Sequence, residues 1–368
     1  MNRISLLAVK LLVGCQTYDL LPVAPEVIVV SPKDIVVEAT LKPNLMLAVD
    51  RSGSMGRTTS NDATCRDCGS GICPASCPTR MSDLRQAVTT FTQLASSRVR
   101  LGLTVFPEET SEIGAEASCR APTAVRVPLP APSRDDDDVA SQANLTAATQ
   151  VTAEVQRLTP GGGTPTGATL AFLATQTSLT DRRDFRHDYV VLLTDGLPNC
   201  NASNPNDYET NALACRCQSG SGDCSGLEIR RRGCLDADAT VAQVEALERL
   251  GVKTIVVGFG ADTNQADAQA VLSRMAAAGG FGPALQASNR AELEATLNRI
   301  LMGLGRQCAF DLPAPPISSA TVSVRVNGAV VPQSASTWTV SGRLLTLSSA
   351  FCSANLGATL SVQVASSP

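Results

Sequence analysis

Five oxygen-bearing side chains, spread over three short runs, are the residues of this sequence best suited to chemistry. Asp50-Arg51-Ser52-Gly53-Ser54 closes one apolar segment, Gly161-Gly162-Gly163-Thr164-Pro165-Thr166-Gly167 sets a threonine behind a glycine run, and Thr194-Asp195-Gly196 follows a second apolar segment. Alternation in the first run points one carboxylate and two hydroxyls at a common centre, and Gly53 permits the tight turn this needs. Together Asp50, Ser52, Ser54, Thr164 and Asp195 offer two carboxylates and three hydroxyls. Hard divalent cations such as Mg2+ take six oxygen ligands and keep some of their waters. The set suits Mg2+, with Mn2+ or Ca2+ as alternatives. Each run alone is an ordinary turn or a chance match in a serine-rich chain; their order, and their places behind strands, carry the reading.

The elements that must position these runs alternate between strand and helix. Leu45 to Val49 is an apolar strand, Met81, Leu84, Val88, Phe91 and Ala95 share one helical face, and Val99 to Phe106 is a strand. A helix is expected from about Val139 to Leu158, a mostly apolar one from Thr166 to Leu179, and a strand from Tyr189 to Leu193. Val241, Val244, Leu247 and Leu250 align on the next helix, Val252 to Phe259 is a strand, and two helices follow near Gln265 to Ala278 and Arg290 to Leu304. Such alternation predicts an α/β fold with a doubly wound, mostly parallel sheet covered by helices on both faces. Sheets of that kind bind ligands beyond the carboxyl ends of their strands, where the three runs fall. After Cys308 helical periodicity stops. Thr321 to Val326, Thr337 to Val340, Leu344 to Leu347 and Thr359 to Val364 read as short strands, with turns at Asn327-Gly328 and Ser341-Gly342. The expected plan is an export segment over 1–14, an anchor and tether over 15–43, the α/β domain over 44–305 and a small β-sandwich-like, all-β domain over 306–368. Pro22, Pro25 and Pro32 make the tether an extended segment or an early edge strand.

The constellation resembles the metal-ion-dependent adhesion site (MIDAS) of von Willebrand factor A (vWA) and integrin inserted domains, a Rossmann-like fold. Its pattern is DxSxS, then a distant Thr, then a distant Asp. The resemblance covers roughly Pro43 to Gly305. It implies that Ser52 and Ser54 bind the metal through their hydroxyls and that Asp50 and Asp195 hold it mainly through water. Thr164, the first threonine after the glycines, joins according to conformation, while Thr166 starts a helix. The open sixth position takes a partner's carboxylate. In integrin relatives a shift at the metal moves the last helix, here Arg290 to Leu304, which leads to the terminal domain at Cys308; ligand sensing by that domain is expected on the same grounds.

Hydrophobic residues make up 43% of the chain and aromatics 3%, so the interior must be built from Val, Leu, Ile and Ala. A formal charge of −4, with basic residues scattered apart from Arg230, Arg231 and Arg232, argues against a nucleic-acid partner. Thirteen cysteines point to an oxidising compartment. Arg3, the apolar stretch Ile4 to Val13, interrupted by Lys10, and Leu12-Val13-Gly14-Cys15 resemble a bacterial lipoprotein signal whose lipobox makes Cys15 the lipid anchor. The remaining cysteines, Cys65, Cys68, Cys73, Cys77, Cys119, Cys200, Cys215, Cys217, Cys224, Cys234, Cys308 and Cys352, are even in number, as disulfides require. Nine of them fall in or beside two inserts, 57–79 and 197–233, next to Ser54 and Asp195. A zinc knuckle is the lesser reading in an exported chain. A cross-linked rim that selects the partner is expected instead, with Cys119 and Cys200 linking or joining the groups and Cys308 with Cys352 bracing the terminal domain.

Asp135 to Asp138 forms an acidic run that is expected to serve the start of the following helix, in preference to binding calcium. His187 has no nucleophile partner in the sequence, and the glycine run lacks a GK[ST] ending, so neither a hydrolytic triad nor a phosphate loop is supported. A binding protein is expected, not an enzyme. A lipid anchor, a disulfide-rich rim and a terminal β-domain resemble bacterial surface lipoproteins of the vWA family and, more loosely, myxobacterial gliding-motility adhesins. Gln16 after Cys15 fits outer-membrane sorting. The expected role is adhesion at the cell surface to a protein or extracellular-matrix ligand bearing an acidic group. The alternative is a periplasmic or outer-membrane scaffold using the same cation site.

Overall fold

The computed structural model describes residues 28–29, 42–60, 65, 76–133, 136–138, 140–181, 186–215, 226, 229–304, 309–312, 316, 318–326, 328–342, 344–348, 351 and 360–366. Cys15, Cys68, Cys73, Cys217, Cys224, Cys308 and Cys352 lie outside them, as do the export segment and Asp135. The chain divides into two compact units, Ala39–Arg306 and a second that joins the segment through Glu38 to Gln307–Pro368.

In chain order the elements are β1 (Ile28–Val29), β2 (Asn44–Asp50), α1 (Arg80–Ala95), β3 (Arg100–Phe106), α2 (Ala115–Ser118), α3 (Gln142–Arg157), α4 (Thr166–Ala174), α5 (Thr177–Thr180), β4 (Asp188–Thr194), α6 (Ala237–Arg249), β5 (Val252–Phe259), α7 (Ala266–Ala278), β6 (Leu285–Ala287) and α8 (Arg290–Gly303). The second unit continues with β7 (Ala309–Asp311), β8 (Val322–Val326), β9 (Ala329–Val331), β10 (Trp338–Ser341), β11 (Leu344–Leu347) and β12 (Leu360–Ser366).

The larger unit holds a sheet in the order β3-β2-β4-β5-β6, with every pairing parallel. Side-chain alternation divides its strands between two cores. Leu45, Leu47 and Val49 of β2, with Val191 and Leu193 of β4, pack against Leu84, Val88 and Phe91 of α1, Val151 of α3 and Leu297 of α8. Met46 and Ala48, with Val190 and Leu192, face Leu170 of α4, Val244 of α6 and Leu272 of α7. Burial on both faces explains why these strands are continuous apolar runs. The order of pairing puts β3 on one side of β2 and β4 on the other. A topological switch point therefore lies between β2 and β4, the strands that end at Asp50 and Thr194.

Three expectations are corrected here. The apolar helix over Thr166 to Leu179 is two helices, because the Thr175 hydroxyl donates to the Phe172 carbonyl (2.7 Å) and Gln176 turns extended before α5 begins. The helix set at Val139 to Leu158 begins only at Gln142, and among the described residues no acidic side chain lies in its first turn or caps it. Asp136 instead lies 3.4 Å from Arg100 and 3.8 Å from Arg186, and Asp137 accepts from Arg186 at 2.7 Å and from the Lys42 amide at 2.7 Å. Leu250, aligned with the α6 face in sequence, is the residue that ends the helix and is 41% exposed.

The smaller unit has two antiparallel sheets, β1-β12-β8-β9 and β10-β11-β7, around Leu312, Val322, Val324, Trp338, Leu345 and Val362. Register Val326↔Ala329 leaves the two residues 327–328 between β8 and β9, where the first turn is expected, whereas Ser341 is still paired with Leu344, so the second connection falls one residue later than the Ser341-Gly342 turn expected from the sequence. Within the stretch expected to be a tether or edge strand, Ile28 and Val29 pair with Ser366 and Ala365 at the sheet's edge. Among the described residues no helix is long and apolar enough to cross a membrane.

Candidate functional site

The carboxyl ends of β2 and β4 bring four of the five candidate side chains into one hydrogen-bonded chain. Asp50 accepts from the Ser52 amide (2.7 Å) and from the Thr194 hydroxyl (2.6 Å). The Ser52 and Ser54 hydroxyls lie 3.0 Å apart, and Ser54 donates to Asp195 at 2.7 Å. Thr164 comes from the loop before α4. Its amide donates to the Asn199 side chain (2.7 Å), and its carbonyl accepts from the Asn199 amide (3.0 Å). A β-carbon added at Gly196 would sit 3.6 Å from Ser54 Oγ and 3.9 Å from Thr164 Oγ1, so the three residues meet around that glycine. Asp50, Ser52, Thr164 and Asp195 have no solvent exposure, and Ser54 has 6%. Thr166, read as the start of a helix, is the first residue of α4.

Local chemistry explains this convergence. A short 3-10 turn over Gly53–Gly56 follows Ser52 and turns Ser54 back toward β4. The Gly53 amide donates to the Gly162 carbonyl (3.0 Å) and the Gly161 amide to the Arg51 carbonyl (2.7 Å), which lace the glycine run to the Asp50–Ser54 loop.

Charge at the site is unbalanced. Burial, and then the nearby Asp195 carboxylate, push Asp50 up to about 7, despite hydrogen bonds from Thr194 and Ser52 that favour its ionised form. Asp195 is also pushed up by burial, although Arg80 opposes this. Arg80, the first residue of α1, is buried and reaches Asp195 at 2.8 Å and Asp262 at 2.7 Å. Burial works against its charge, but the two carboxylates outweigh that and raise it. Asp262, which burial alone would raise, is held below its ordinary value by hydrogen bonds and charge from Arg80 and then Arg57.

A cation meets three needs of this arrangement. It would compensate Asp50, which forms no ion pair among the described residues. It would also engage the two serine hydroxyls, which otherwise bond to each other. Finally, Thr164 Oγ1 is buried without a hydrogen-bond partner, and such an atom calls for a ligand, water or ion. Among the described residues no group of three or more His, Cys, Asp or Glu forms a metal cluster; the donor set here is two carboxylates with hydroxyls. A cleft of about 290 Å³ opens beside Ser54 and Asp195, with Arg57, Leu197, Leu235 and Asp262 on its walls.

In and beside the inserts, disulfides join Cys65 to Cys77 and Cys215 to Cys234, and a third joins Cys119 to Cys200. The functional neighbours that sequence reasoning missed are Arg80, Thr194, Asn199 and Asp262. Thr194 stands inside a motif already singled out, and Arg80 is a charge at the head of an apolar helix; Asn199 and Asp262 carry no sequence signal.

No family model matches the chain, and no curated protein matches it. Solved structures do. The open conformation of the pilus adhesin SpaC from Lactobacillus rhamnosus GG is similar at 14% identity and a TM-score of 0.46, over 88% of this chain and 38% of that one. This chain thus spans well under half of that adhesin's length. The vWF domain of the type V pili tip protein Mfa5 from Porphyromonas gingivalis is similar at 14% identity and a TM-score of 0.40, over 71% of this chain and 94% of that one. Manganese-loaded TRAP protein of Plasmodium vivax is similar at 17% identity and a TM-score of 0.38, over 73% of this chain and 76% of that one. The fold class rests on the sheet itself: five parallel strands between two helical layers, and two antiparallel sheets in the smaller unit.

Proposed function

We propose that this chain is a cell-envelope adhesion protein of vWA type that holds one divalent cation at Asp50, Ser52, Ser54, Thr164 and Asp195 and uses it to bind an acidic group on a protein or matrix partner. The observation that carries the reading is the meeting of these side chains at the switch point of the sheet, with a buried, partnerless threonine hydroxyl among them. Ser52 and Ser54 orient hydroxyls to the ion, and Thr164 supplies a third. Asp50 and Asp195 counter its charge and orient its waters. Arg80 takes up one oxygen of Asp195 and leaves the other toward Ser54. The bound ion supplies a Lewis-acidic position for a carboxylate from outside. The cleft beside Ser54 gives that group its approach, and the disulfide-braced inserts around it select the partner. The cysteine content and the lipobox-like Leu12 to Cys15 support export and lipid anchoring at Cys15, with an outer-membrane, surface-facing location. The chemistry of this set is binding, not catalysis.

Calorimetric titration of the EDTA-stripped chain with Mg2+ and Mn2+ tests the reading. One site per chain is expected, lost in Asp50→Ala and in Asp195→Ala. Undiminished binding in both variants would reject it.

A further inference from the structure

The Cys119–Cys200 disulfide stands apart from the other two in what its neighbours do. The residue before each half-cystine holds the backbone that presents Thr164. The Ser118 carbonyl accepts from the Gly163 amide (2.8 Å), and Asn199 grips Thr164 from both sides, its side chain accepting from the Thr164 amide (2.7 Å) and its own amide donating to the Thr164 carbonyl (3.0 Å). The bond between Cys119 and Cys200 ties Ser118 to Asn199 across the Gly163-Thr164 segment.

Two further observations agree. A β-carbon at Gly163 would come within 2.5 Å of Cys200 Sγ and 3.3 Å of Cys119 Sγ, so the loop lies directly on the sulfurs and has room only as glycine. Cys200 itself has φ +78, a left-handed conformation that a non-glycine residue adopts only when its surroundings impose it. Here the sulfur bond and the Cys200 amide's hydrogen bond to the Arg232 carbonyl impose it. Strain of this kind, beside a hydroxyl with no partner, points to a function.

We propose that the Cys119–Cys200 disulfide, with Asn199, is a positioning element of the cation site that pre-sets the Thr164 hydroxyl toward the ion. This rests on the cation-site reading above. The disulfide touches no ion; it acts through the loop, as outer-shell groups fix the orientation of ligands in other metal sites. Reduction of this one bond lowers cation affinity while the two hydrophobic cores stay intact.

The test is Mn2+ affinity of the full chain, by calorimetry, for wild type, Cys119→Ser/Cys200→Ser, Thr164→Val and the triple variant. The Cys119→Ser/Cys200→Ser variant is expected to bind roughly tenfold to a hundredfold more weakly than wild type. The triple variant is expected to bind no more weakly than Thr164→Val alone, because the effect runs through that hydroxyl. Unchanged affinity in Cys119→Ser/Cys200→Ser, or losses that simply add in the triple variant, overturns the proposal. Should the cysteine variant fail to fold, Asn199→Ala keeps the disulfide and is expected to weaken Mn2+ binding; wild-type affinity in it overturns the proposal equally. Amide exchange at Gly163 and Thr164, measured without metal, is expected to quicken in either variant, and unaltered exchange counts against the proposal. A wild type that binds no Mn2+ removes the cation-site reading and this role with it, an outcome distinct from a wild type and a cysteine variant that bind equally.

Discussion

The two ends of the central strands are both charged and buried, yet they are finished differently. At the amino ends, opposite charges meet. Asp136 lies between Arg100 and Arg186, and Asp137 accepts from Arg186 and the Lys42 amide. The Lys42 ammonium donates to the Asp138 carbonyl at 2.5 Å, and the Asn44 side chain links Arg100 (2.7 Å) to Asp188 (2.8 Å). At the carboxyl ends only one of two buried carboxylates, Asp195, pairs with the buried Arg80, two serine hydroxyls bond to each other, and a threonine hydroxyl has no partner. Paired charges hold a fold in place, whereas a buried carboxylate without a paired charge suits, on the proposed reading, something that arrives from outside. On the same proposed reading, that difference separates the acidic residues that bind from those that brace.

The largest effect is expected where opposite charges are paired. Asp136→Ala leaves Arg100 and Arg186 buried without their shared carboxylate and should cost about 3–5 kcal/mol, read as a lower urea midpoint, with cation affinity kept. A cost below roughly 1 kcal/mol would break the comparison.

At the other end, removing a carboxylate should help the metal-free protein. Asp50 has a folded value of about 7 against an ordinary 3.8, so its contribution to stability is present below about pH 4 and is lost as the pH rises through 7. Asp50→Asn, whose amide can donate to Thr194 Oγ1 while its oxygen keeps the Ser52 amide, should raise metal-free stability at pH 8 by about 1–3 kcal/mol and flatten that decline. Mg2+ should likewise stabilise the wild type more at pH 8 than at pH 5. Urea titrations across this range check both, and an Asp50→Asn chain less stable than wild type at pH 8 would contradict them.

The smallest effect belongs to Thr164→Val. Replacing a hydroxyl that has no partner by a methyl group should leave metal-free stability unchanged or about 1 kcal/mol higher, while Mn2+ affinity falls at least about tenfold. Thermal unfolding with and without Mn2+ separates the two effects.

Much of this was legible in the sequence, for physical reasons. Strands buried on both faces must be apolar runs, and helices packed on one side must repeat as Leu293, Leu297, Ile300 and Leu304 do, all buried here. Asp50, Ser52, Ser54 and Asp195 stood out because they directly follow such strands, and Thr164 because it follows a glycine run before a helix, in the order of a known cation-site pattern. What escaped was non-local. Arg80 and Asp195 are 115 residues apart in the chain, and Thr164 and Asn199 are 35 apart, so nothing in their spacing couples them. The acidic run was misassigned for the same reason, since Arg100 and Arg186 are brought to Asp136 only by the sheet. β6 escaped because three residues are too few to show a period.

The most direct test of the cation site is anomalous scattering at the manganese edge from crystals grown with Mn2+. One peak is expected, within roughly 2–2.5 Å of the Ser52 and Ser54 hydroxyls. A peak at Asp136 and Asp137 instead, or none in crystals of chain that binds Mn2+ in solution, would contradict it.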